Sequence, residues 1–125
     1  MPMYRKLLPF LMIVAGCSEG GKPEPPHYDS ERARTVLTET LDAWKKGDTK
    51  ALPRRKPPIR FVDDDLVQGM RLMDYELEQP DAPIALHQDV EVILSLRDAR
   101  GKAVHREARY QVATEPALAV LRSDR

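Results

Sequence analysis

The sequence predicts an α+β fold: one N-terminal amphipathic helix packed on a curved antiparallel sheet of about four strands. Three observations lead there. Between Ala33 and Trp44 apolar and small residues recur at helical spacing. From Met70 onward the hydrophobic period drops to two. Asp98-Ala99-Arg100-Gly101 lies between two such alternating runs and carries the signature of a hairpin turn.

In chain order, the first element is the apolar run Leu7 to Ala15, which follows Arg5 and Lys6. As a helix it covers roughly 14 Å, about half of a bilayer core, so it is no membrane span. A basic start, a brief apolar stretch and small residues at the exit are the layout of a secretory signal peptide. Val14-Ala15-Gly16-Cys17 resembles the bacterial lipobox, a branched aliphatic residue and two small residues before an essential Cys. The resemblance covers the first 17 residues.

It implies that Val14, Ala15 and Gly16 are signal-peptidase recognition positions, with cleavage after Gly16. Cys17 then carries diacylglycerol on its sulfur and, in many bacteria, a further acyl chain on its amine. Each buried methylene contributes about 0.8 kcal/mol, so two or more chains anchor where one does not. The implied localisation is the cell envelope, with Ser18 rather than Asp after the Cys favouring the outer membrane of a two-membrane cell. Residues 1–16 are read as the leader, 17–28 as the lipidated Cys and a linker with Gly20-Gly21, Pro23 and Pro25-Pro26, and 29–125 as one domain.

Composition bounds the rest. The 125 residues hold 20 Lys and Arg against 20 Asp and Glu. Loss of Arg5 and Lys6 with the leader leaves a mature chain near −2. That balance gives no case for nucleic acid, which requires a basic face. Cys17 is the one cysteine, so no disulfide can support the core.

Asp29 or Ser30 offers a helix N-cap, with Glu31 in the first turn. Ala33, Val36, Leu37, Thr40, Leu41 and Trp44 form one buried stripe, and Lys45-Lys46-Gly47 is a C-terminal stop. Pro53 and Pro57-Pro58 interrupt regular structure after it, leaving room for a helical turn over Thr49 to Leu52. Arg54-Arg55-Lys56 and Asp63-Asp64-Asp65 are expected to neutralise one another, and the aspartates to cap a turn before Leu66. They lack the Gly and distal Glu of a calcium loop.

In the first strand Met73, Tyr75 and Leu77 share a face opposite Leu72, Asp74 and Glu76. Val90, Val92, Leu94 and Leu96 alternate with polar neighbours, as do Val104, Ala108, Tyr110 and Val112. A type I turn with Gly101 in a G1 bulge puts Asp98 opposite Lys102, so paired numbers sum to 200. Leu96 then faces Val104, Val92 faces Ala108, and Glu91 faces Arg109. Leu94 faces Arg106, the one mismatch. Thr114-Glu115-Pro116 turns the chain into a last strand within Ala117 to Arg122.

One helix ending in Leu41-Asp42-Ala43-Trp44-Lys45-Lys46-Gly47-Asp48 before a curled sheet resembles the cystatin-like and NTF2-like roll. The cystatin-like half is the closer match, because NTF2-like chains are longer and carry further helices. The resemblance implies a fold and no fixed activity; the cystatin inhibitory motifs are absent.

No chemical constellation appears. His27, His87 and His105 are spread too far to share a metal or a base: His105 lies opposite Ser95, about 26 Å along a strand from His87. HExxH, paired CxxC and Gly-rich phosphate motifs are missing. Neither a cofactor nor a metal is expected. The polar sheet face carrying Glu91, His105, Glu107, Arg109 and Gln111 is the candidate binding surface, suited to another envelope protein or a glycan. The expected function is therefore a non-catalytic binding or scaffold lipoprotein held at a membrane through Cys17. The alternative is a small NTF2-like ligand-binding protein or enzyme, which requires an ionisable residue at the base of an apolar pocket.

Overall fold

The computed structural model describes residues 29–124. Val14, Ala15, Gly16, Cys17, the linker and His27 lie outside the described residues. Helix α1 (Ser30–Lys46) begins at Asp29, whose carboxylate accepts the N–H groups of Glu31 at 3.0 Å and Arg32 at 3.1 Å. All six stripe residues from Ala33 to Trp44 are buried. Thr40 fits that stripe because its hydroxyl donates to the Val36 carbonyl at 2.7 Å. Gly47, at φ +76°, ends the helix. Its N–H returns to Trp44 O and that of Asp48 to Ala43 O, a Schellman closure.

A 3₁₀ helix (Thr49–Arg54) buries Leu52 and leads into strand β1 (Ile59–Val62). The short α2 (Asp64–Val67) follows, then β2 (Arg71–Leu77), β3 (Val90–Arg97), β4 (Ala103–Ala113) and β5 (Leu118–Arg122). The sheet order is β1-β5-β4-β3-β2, with β1 parallel to β5 and the other pairs antiparallel. The fold is thus α+β as expected, one helix on a curled sheet, but the sheet is mixed and, among the described residues, has five strands. The additional strand is β1. Its four residues are too few for a visible alternation, and its partner β5 is distant in sequence.

The β3–β4 hairpin has the expected register: Val90 pairs with Tyr110, Glu91 with Arg109, Ser95 with His105 and Leu96 with Val104. Gly101 at φ +84° closes the turn, and Asp98 N donates to Lys102 O at 3.0 Å. Strand β2 corrects its expected phase. The ladder passes from Leu72 opposite Leu96 to Asp74 opposite Ser95, so Met73 is an inserted bulge residue. Leu72 is consequently buried and Met73 exposed, while Tyr75 and Leu77 turn back toward the core beyond the bulge.

The core lies between the α1 stripe and the concave sheet face, where Leu72, Val92, Leu94, Leu96, Ala108, Tyr110 and Val120 are each buried. Trp44 is core: its indole N–H donates to Met70 O at 3.0 Å, and its ring meets Phe61 edge-on at 5.8 Å.

Replacing Gly47 by Ala tests how much the helix stop contributes. An added Cβ has no atom within 4 Å, so the cost is the left-handed backbone alone. A loss of about 1 kcal/mol in urea unfolding is expected; unchanged stability would mean that the terminus rearranges.

Candidate functional site

The convex sheet face receives the predicted polar residues by simple alternation. Glu91, His105, Glu107 and Arg109 are exposed and Gln111 is half-buried. Three of them converge: Glu91, Glu107 and Arg109 line a shallow depression of about 380 Å³ with Glu78, Ser123 and Asp124. Arg109 Nε lies 3.7 Å from Glu91 Oε2, the cross-strand pair the register requires. His105 and Gln111 stand outside the depression. The His105 ring nitrogen Nδ1 is 3.4 Å from Ser95 Oγ, and Gln111 donates to Asp89 at 3.1 Å. Partial desolvation, then the charges of Glu91 and Glu107, push the Glu78 carboxyl up from its ordinary value. The depression thus holds four carboxylates around one guanidinium, an acidic and hydrogen-bonding surface.

The interior holds charges that the sequence reading placed elsewhere. Asp63 caps α2 as expected, accepting from Asp65 N at 2.8 Å and Leu66 N at 3.1 Å. Its carboxylate is also completely buried, accepts from the Tyr110 hydroxyl, and receives Arg122 Nη1 at 3.1 Å on each oxygen. The same Nη1 reaches Asp65 Oδ2 at 3.0 Å, and Arg122 Nε reaches Asp124. Arg106 closes the network, with Nε 3.0 Å from Asp65 Oδ2. This accounts for Arg106 opposite Leu94: its side chain leaves the apolar face to meet a buried carboxylate.

The neutralisation expected between Arg54-Arg55-Lys56 and Asp63-Asp64-Asp65 does not occur. Arg55 pairs with Glu39 at 2.8 Å, while Asp63 and Asp65 pair with Arg122 and Arg106. The intervening β1 carries Asp63 to the inner end of the sheet and leaves the basic triplet outside.

Two members of the network, Tyr110 and Arg122, are held in their protonated forms. Burial, then the adjacent Asp63 carboxylate, drive the Tyr110 hydroxyl far above its ordinary value. For Arg122 burial opposes the charge, but Asp124, Asp63 and Asp65 outweigh it and hold the guanidinium protonated. Side-chain exposures of 6% for Arg122, 0% for Asp63 and 7% for Asp65 place the network beneath the surface. The available signal was the inward phase of β5, in which Leu118 and Val120 are followed two residues on by Arg122. Among the described residues, no group of three or more His, Cys, Asp or Glu is arranged to hold a metal ion, and no helix is long and apolar enough to cross a membrane.

Comparison of the chain with protein-family models, with curated proteins and with solved structures gives no match.

Two outcomes follow for the network. Arg122→Met strands buried carboxylates and is expected to cost about 3 kcal/mol in urea unfolding; adding Asp63→Asn recovers part of the loss, whereas full additivity would deny the coupling. Burial raises the Asp124 carboxyl, but its bond to Arg122 and the Arg109 N–H outweigh burial and hold it below 3.8. A depressed folded-state value stabilises fully above the unfolded value and fades as pH falls through the folded one. Asp124→Asn is therefore expected to flatten the fall in stability below about pH 4, measured by thermal unfolding against pH.

Proposed function

We propose that the chain is a membrane-tethered lipoprotein of the cell envelope, acting as a non-catalytic binding or scaffold module. The observation that carries this reading is the filled interior. Among the described residues, its ionisable groups Asp63, Asp65, Tyr110 and Arg122 bond to one another within a packed core. The chemistry left to the domain is recognition at its surface, and the depression around Arg109 supplies one such surface for an envelope protein or glycan. The tether rests on Val14-Ala15-Gly16-Cys17 and the Gly- and Pro-containing spacer, which delivers the chain to the capped start of α1. The helix laid across a curled sheet supports the cystatin-like roll as the nearest architecture, with β1 as an added parallel edge.

Intact-mass spectrometry of the native protein tests the tether. The expected species begins at Cys17 and carries two or three acyl chains, and Cys17→Ser abolishes both processing and acylation; an unmodified thiol on the native chain would refute it. Crosslinking in intact envelopes tests the surface. Glu107→Lys with Arg109→Glu is expected to remove the recurrent partner, whereas turnover of a substrate by the purified protein would overturn the non-catalytic assignment.

A further inference from the structure

A second surface lies at the far end of α1. Two adjoining clefts of about 230 and 360 Å³ share Thr49 and Leu66 as their common wall. Their floors are apolar and include Trp44, Leu52, Ile59, Phe61 and Met70. Every charged residue lining them is a cation: Lys45, Lys46, Lys50, Arg60 and Arg71. Among the described residues only Lys45 of these five has a carboxylate within 4.0 Å, Asp74 at 3.2 Å. The bias extends beyond the rim, since residues 45–60 hold seven Lys and Arg against the single carboxylate of Asp48 in a chain whose total charge is zero. Such a cluster around low-dielectric walls concentrates positive potential.

The second cleft runs between the 3₁₀ helix and Ile59, Arg60 and Phe61 of β1. Among the described residues strand β1 is the outermost of the sheet, hydrogen-bonded on one side to β5. A strand edge with no further strand partner among the described residues, beside side-chain pockets, is the arrangement by which a sheet accepts an extended peptide, main-chain bonds providing affinity and pockets specificity.

We propose that this end of the molecule docks an acidic, extended segment of a partner protein. Its backbone lies along β1, its alternate apolar side chains enter the two clefts, and its carboxylates meet Lys46, Lys50, Arg60 and Arg71. Concavity selects a peptide over a bilayer, because a membrane is entered by protruding apolar side chains and here the apolar floor is recessed. The proposal supplies a partner chemistry for the binding module described above, and its failure would leave the lipid tether, read out separately by mass spectrometry, unaffected.

The test uses the full chain in nanodiscs of zwitterionic lipid and a fluorescein-labelled peptide in which Leu, Phe and Val alternate with Asp and Glu. Fluorescence anisotropy is expected to rise saturably. Lys50→Glu with Arg60→Glu, both exposed and outside the core, is expected to weaken binding by about tenfold or more with an unchanged circular dichroism spectrum. Arg32→Glu, exposed in the first turn of α1 and lining neither surface, leaves it unchanged. N-methylation of alternate peptide amides removes binding if the backbone pairs with β1. The proposal is overturned by absent saturation, by equal binding of a Lys-substituted peptide, or by binding that survives N-methylation. It is equally overturned if phosphatidylglycerol vesicles bind in the peptide's place, or if sedimentation shows the clefts filled by a second copy of the chain.

Discussion

Arg122 donates into Asp63, Asp65 and Asp124 from an almost fully buried position, and the attachment of the sheet's parallel edge depends on it. Strand β1 is four residues long, and a parallel pair is slightly less stable per residue than an antiparallel one. So short a ladder specifies its register weakly through apolar contacts. Val62 pairs with Leu121, which brings the next residues, Asp63 and Arg122, together at the sheet's inner end. A slip of one position would set Arg122 against Val62 and leave buried charges unpaired, at a cost of several kcal/mol. The network therefore acts as a register pin, joining residues 59 apart in sequence. Tyr110 and the α2 cap complete it, so the end of β5, the middle of β4 and the turn after β1 are fixed by one set of bonds.

The parts of this fold legible in the sequence are those whose information is local. The α1 cap, stripe and stop fall within 19 residues from Asp29 to Gly47, and the β3–β4 register follows from one Gly-containing turn. The parts that were not legible involve an exception to a period or a distant partner. Met73 shows the first: one inserted residue reverses the phase of Leu72 against Tyr75, and an alternation count has no term for an insertion. Strand β1 and Asp63 show the second, since their partners lie in β5. Of the polar-face residues, Glu91, Glu107 and Arg109 were brought together, because a single hairpin places them. Their neighbours Glu78, Ser123 and Asp124 come from elsewhere in the chain and were missed for the same reason as β1.

Net charge is equally silent about arrangement. A sum of zero suggests an evenly mixed surface, yet the fold sorts the charges along α1. The β2–β3 connection packs on the helix's first turns, where Ser30 Oγ accepts from Ile84 N at 2.7 Å and Arg34 reaches the Ala82 carbonyl. Glu78, Asp89 and Glu91 line a cleft beside that contact, and Lys45, Lys46 and Lys50 gather at the opposite terminus. The two ends are separated by a 17-residue helix, about 25 Å.

That sorting agrees in sign with the helix itself, whose N-terminus carries partial positive charge and favours anions and whose C-terminus favours cations. The consequence reaches further than the helix. Because the roughly 25 Å between the helix ends exceeds the roughly 8 Å screening length at physiological salt, the charges at each end set its local potential with little cancellation by those at the other. The domain thereby holds a carboxylate-lined cleft beside the first turns of α1, where Arg32 and Arg34 also lie, and a cation-lined pair of clefts at the far end. Charge separated in this way exerts a directional field on a charged molecule nearby, which an evenly mixed surface of the same composition does not.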